Sequence, residues 1–172
     1  NPEDATRKIW KVMDKYLRAE YRGTRPLAAF ATAPAVIMSS TKPVHSPSDM
    51  KGMKIRVPSK SAAAVVKAYG ATPVLMPATK VYTSMSTGVV DGALMGADSL
   101  LIFKLIEPTK FVTTGLPEMV TEIFLTMNQK AYDELSASEK AALDNLTGKE
   151  LSLRASKGLE NFGKKALAIF GK

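Results

Sequence analysis

Three short apolar runs separated by two helix-like runs, all within residues 54–95, restrict this chain more than any other feature. Lys54-Ile55-Arg56-Val57 alternates as a strand and stops at Pro58. Ser59 stands where an N-cap belongs, ahead of a helix over 60–69, with Gly70 at its C′ position. Pro73-Val74-Leu75-Met76 reads as the next strand. Thr79 is placed to cap a second helix through Met85, closed by Gly88, and Val89 to Met95 reads as a third strand. Right-handed crossovers joining such units lay their strands parallel, so the expected class is α/β.

The flanks are more helical. Ala5, Ile9, Met13 and Tyr16/Leu17 fall on one face of a helix over 4–22, with an acidic first turn and Gly23 as its stop. Residues 26–32 and 35–39 read as short strands divided by Pro34. Residues 99–106 read as a short helix before Pro108, and Glu122 to Met127 as a strand. Asn128 caps a turn over 130–134. Ser136 and Glu139 form a capping-box pattern ahead of a stretch that stays helical to about 170 and is weakest at Gly148.

Composition removes several chemistries. The 172 residues contain no cysteine and one histidine, so disulfides, thiolate nucleophiles and cysteine-ligated zinc are excluded. No apolar run reaches the roughly 18 residues of a membrane span. Asn1 to Asp4 read as a helix start and not as a charged leader, so no signal peptide is expected in this stretch. The net charge of +8 attracts anions, but the basic residues are interleaved with acids and not clustered with aromatics, which argues against nucleic acid. There is no Walker loop and no GxGxxG. No cofactor and no metal is expected.

Ligands of open parallel sheets bind beyond the carboxyl ends of the strands. Arg56 lies near such an end, on the face opposite Ile55 and Val57, beside the N-terminus of the helix after Ser59. A guanidinium there suits a carboxylate, whose two oxygens match its fork. The alternative is a strand arginine facing solvent or paired with an acid. Asp91 and Asp98 offer two carboxylates for a small-acid enzyme, but no nucleophile or histidine accompanies them, and Asp91 before Gly92 suits a strand end. His45 reads as an exposed loop residue and the methionines as core.

The order of these segments resembles a known family. Ser48-Asp49-Met50-Lys51-Gly52-Met53-Lys54-Ile55-Arg56-Val57-Pro58 is similar to the D-L-K-G-x-K-I-R-V-P block of TRAP (tripartite ATP-independent periplasmic) solute-binding proteins of the DctP type. Gly70 to Pro77 resembles their G-A-x-P-V-x-M-P. Val81-Tyr82 with Thr87 to Gly92 resembles V-Y-x-A-L-x-x-G-V-V-D-G, and Phe124 to Asn128 with Tyr132 and Leu135 resembles the M-N-x-x-x-Y-D-x-L that follows. The blocks cover roughly residues 40–172.

The resemblance implies a periplasmic-binding-protein-like, type II-like lobe with a parallel or mixed sheet and a long C-terminal helix. It implies a substrate lobe over 34–118, with 1–33 and 119–172 belonging to a first lobe whose N-terminal part is absent. It implies a periplasmic, non-catalytic protein that hands a small organic acid to membrane permease subunits. By the same resemblance Arg56 pairs with the substrate carboxylate, Ser59 lines the same site, and Ala78 and Thr79 border it. Met95 stands where the family often has asparagine, which favours a less polar acid over a sugar acid. Lys80 replaces the glutamate common before V-Y. The other reading left open is the effector-binding domain of a transcription regulator.

Overall fold

The computed structural model describes residues 1–116 and 120–170. In chain order the elements are α1 (Pro2–Val12), β1 (Thr24–Ala31), β2 (Ala35–Ser39), β3 (Lys54–Val57), α2 (Lys60–Ala68), β4 (Thr72–Leu75), α3 (Val81–Ser86), β5 (Gly92–Gly96) and α4 (Ser99–Ile102). They continue with β6 (Phe111–Thr113), β7 (Glu122–Asn128), α5 (Gln129–Asp133), α6 (Ala137–Leu146) and α7 (Lys149–Phe170). The chain divides into two compact units. One comprises residues 33–121 with α7 from Asn161; the other comprises residues 1–32 and 122–160. The expected lobe boundary at 118/119 lies outside the described residues.

The larger unit is built on a five-stranded sheet in the order β4-β3-β5-β2-β6. β3 is parallel to β4 and β5, as the crossover pattern requires, whereas β2 runs antiparallel to both β5 and β6. The sheet is therefore mixed. Alternation sends side chains to two cores. Ile37, Ile55, Val57 and Leu94 meet Ala62 and Val66 of α2 on one face. Val36, Met38, Ala93 and Met95 meet Val81 and Met85 of α3, Leu100 of α4 and Ala166 of α7 on the other. Gly92 lets β5 approach β2 closely, since a Cβ there would lie 2.3 Å from the Met38 carbonyl oxygen.

Local chemistry moves several predicted boundaries. The third strand begins at Gly92, three residues later than its apolar run. The Asp91 amide donates to the Lys54 carbonyl (2.8 Å), and the Asp91 carboxylate accepts from the Lys54 amide (2.8 Å), which holds the chain in a bend. Asp91 is thus a structural strand-end acid. Thr79 does not cap α3: residues Ala78–Lys80 form a 3-10 turn, and α3 begins without a side-chain cap. The helix expected over 99–106 ends at Ile102, and Lys104 closes it with φ +55°.

In the smaller unit β1 pairs antiparallel with β7, with a register shift between Pro26 and Ala28 where proline supplies no amide proton. The opposite edge of β1 meets helix side chains. The Ala29 amide donates to Ser152 Oγ (3.0 Å) and the Ala31 amide to Thr6 Oγ1 (3.0 Å). Trp10 Nε1 donates to the Ala29 carbonyl (3.0 Å) and Ser156 Oγ to the Ala31 carbonyl (3.0 Å). Ile9, Met13 and Ala29 form its apolar centre, flanked by Trp10, Leu17 and Phe124. The first helix starts at Pro2 under an Asn1 cap and widens into a π-turn over Met13–Leu17. Asn128 caps α5, and Ser136 with Glu139 forms the capping box of α6. Gly148, at φ +82°, separates α6 from α7, the break expected there. Among the described residues no helix is long and apolar enough to cross a membrane.

Candidate functional site

The carboxyl ends of the parallel strands β3, β4 and β5 gather most of the residues singled out by sequence. Arg56 stands opposite Val74 of β4 and Ala93 of β5. Residues paired across neighbouring strands share a face, so Arg56 lies on the side of Val74 and Ala93 and away from Ile55 and Val57. Two residues further along each partner strand, Met76 and Met95 return to that face, and both belong to the core around Ala93.

Arg56 is 4% exposed, which removes the reading of a solvent-facing strand arginine. Its Nε donates to the Met76 carbonyl oxygen at 3.0 Å. Among the described residues no acid pairs with Arg56. Burial pulls its pKa below the ordinary arginine value, and no neighbouring carboxylate offsets that effect. A guanidinium stays charged even so. The result is a desolvated cation without a protein counter-ion, an arrangement that is costly unless an anion completes it.

The remaining predicted residues differ in their roles. Ser59 is half-buried and already engaged: its Oγ accepts the Ala62 amide (3.2 Å) as the N-cap of α2 and contacts Ser61 Oγ at 2.8 Å. Met95, 6% exposed, presents an apolar surface near the end of β5. Ala78 packs against the same core, whereas Thr79, in the same turn, is exposed. Sequence reasoning missed the Met76 carbonyl as the acceptor of Arg56. The available signal was Pro77, which confines the residue before it to extended backbone.

The other candidates lie apart in character. His45 is exposed and borders a small cavity with Val44, Met50, Tyr69 and Thr113. Asp98, just past β5, is 4% exposed, and burial pushes its pKa up to about 6. Its Oδ1 has no hydrogen-bond partner. Among the described residues no nucleophile or histidine is hydrogen-bonded to the carboxylate of either Asp91 or Asp98.

A family model described as DctP, bacterial extracellular solute-binding protein, family 7, matches residues 5–168. The chain belongs to this family. It is similar to a solute-binding protein of Albidiferax ferrireducens, 35% identical over 109 residues, covering 62% of this chain and 32% of that protein. A marine metagenome TRAP solute-binding protein, specific for aromatic acid ligands and crystallised with 3-hydroxybenzoate, superposes with a TM-score of 0.91 at 30% identity, covering 98% of this chain and 54% of that one. A TRAP periplasmic solute-binding protein of Bordetella bronchiseptica with bound mandelate gives 0.88 at 32% identity, covering 99% and 55%. This DctP-type chain thus spans about half the length of the solved structures it resembles and about a third of the curated relative. Its family and neighbours are transport solute-binding proteins. The alternatives of a regulator's effector domain and a small-acid enzyme find no support among these relatives.

Proposed function

We propose that the larger unit is the substrate lobe of a periplasmic TRAP solute-binding protein, and that it holds an apolar, aromatic monocarboxylate through Arg56 for delivery to membrane permease subunits. The observation that carries this reading is the buried Arg56 guanidinium, which has a backbone acceptor on Nε and no acidic partner. A substrate carboxylate supplies the missing charge. The surroundings set the class of acid. Met95, Met76, Ala78 and Val36 belong to the core that Arg56 faces, and they give a sugar acid's hydroxyls nothing to bond. Apolar side chains suit a ring, and 3-hydroxybenzoate and mandelate are the acids held by two similar proteins. Ser59 contributes by capping the start of α2, which follows directly on β3. Thr79 lines the rim.

The test is calorimetric titration of 3-hydroxybenzoate, with glucuronate as the contrasting acid. Hydrogen bonds to a charged group contribute about 1.5–3 kcal/mol net, so Arg56→Ala weakens the aromatic acid by roughly 10- to 150-fold. Unchanged affinity removes Arg56 from the site. Tighter binding of glucuronate than of 3-hydroxybenzoate overturns the class of ligand.

A further inference from the structure

We infer that the Met76 backbone carbonyl, held by Pro77, is a positioning group that dictates how Arg56 meets its carboxylate. By taking the Nε–H it leaves only the two terminal nitrogens for the ligand, so the acid is met end-on. This rests on the reading of Arg56 as the carboxylate receptor.

A guanidinium has two kinds of bidentate edge, one formed by Nε with a terminal nitrogen and one by the two terminal nitrogens. The 3.0 Å bond from Nε to the Met76 oxygen closes the first kind. Among the described residues neither terminal nitrogen has an acceptor, and neither is among the fully enclosed atoms that lack a partner. Both therefore keep an open edge although the residue is 4% exposed.

The carbonyl owes its direction to sequence. The register sets Val57 beside Leu75, so Met76 is the first residue beyond β4. Pro77 has φ −59° and ψ 148° and leads straight into the 3-10 turn. Steric conflict with the proline ring holds Met76 in extended backbone. The proline also brings no amide proton to compete for an acceptor. A lysine at 56 carries all three of its donors on one rotatable ammonium nitrogen, so it cannot bond Met76 through one nitrogen while presenting a fixed two-nitrogen fork to a carboxylate.

Side-chain proton exchange followed by nitrogen-15 NMR on the ligand-free protein tests the clamp directly. The Arg56 Nε–H should exchange at least about tenfold more slowly than that of the exposed Arg22. Equal rates overturn the inference, whatever the protein binds. The second arm is a cycle of Pro77→Gly and Arg56→Lys titrated with 3-hydroxybenzoate. Freeing the carbonyl should weaken binding about tenfold when Arg56 is present and less than about twofold with lysine there. Equal losses in both backgrounds mean that Pro77 acts through the fold alone, and the inference fails. If Arg56→Lys binds as tightly as the parent, the receptor reading fails instead. The exchange rates separate that result from a failure of the clamp.

Discussion

The two units differ in how completely they satisfy their buried polar groups. In the smaller one Thr6, Ser152 and Ser156 are fully buried, and each hydroxyl bonds the outer edge of β1. The strand edge is closed by helix side chains where a sheet neighbour would otherwise stand. In the larger unit strands pair with strands and two apolar cores cover the faces; buried Ser39 accepts the Thr41 and Lys42 amides, but other buried polar groups are left incompletely satisfied. Among the described residues Arg56 has no counter-ion there, and Asp98 Oδ1 and Thr109 Oγ1 have no partner at all. Among the described residues both orphaned atoms belong to this unit. Arg56 and Asp98 both stand at the strand ends, and the ligand role proposed for Arg56 rests on its being a cation that the fold leaves without a counter-charge.

The comparison sharpens when each unit is broken at the interactions it relies on. The largest effect belongs to the apolar core. Leu100 is fully buried in the larger unit, and Leu100→Ala should cost about 2–5 kcal/mol in urea unfolding. A loss below about 1 kcal/mol would mean that this core is looser than its burial implies.

Asp98 tests the exception within that unit. Its pKa in the folded protein, about 6, stands above the 3.8 of the unfolded chain. The stabilisation held by the protonated form is therefore complete below pH 3.8 and is lost as pH rises through about 6. Linkage puts the loss at roughly 3 kcal/mol between the two limits. Asp98→Asn should flatten the stability profile over that window by about this amount. Parallel profiles for variant and parent would place the proton uptake elsewhere.

Thr6→Val makes the smallest change and the most pointed one. It adds apolar character to a fully buried site, yet it strips the Ala31 amide of its acceptor. An unsatisfied buried donor costs about 1–3 kcal/mol, so the variant should be less stable by that amount. Increased stability would show that hydroxyl bonding does not hold this edge.

Much of the larger unit was legible in the chain. Ile55 and Val57 alternate with Arg56, Ser59 and Gly70 bracket α2, and the crossover spacing requires parallel neighbours for β3. These signals are local, and each is set by residues within a few positions. Thr79 misled because a hydroxyl before an apolar run resembles a cap, while Pro77 and Ala78 bend the chain into a 3-10 turn first. The antiparallel placement of β2 and β6 leaves no local trace, since pairing direction depends on distant strands.

By itself the sequence determined the α/β pattern, the caps at Ser59, Asn128 and Ser136, the break at Gly148 and the family blocks that led to Arg56. Propensity, capping and turn chemistry act over short stretches of chain, so residue order suffices to specify them. Only the tertiary structure decided that Arg56 is buried without an acid, that Met76 turns its carbonyl to it, and that three helix hydroxyls seal the edge of β1. Those facts depend on which groups are excluded from water together. Burial joins residues 20 to 125 positions apart, a separation at which no sequence period carries information.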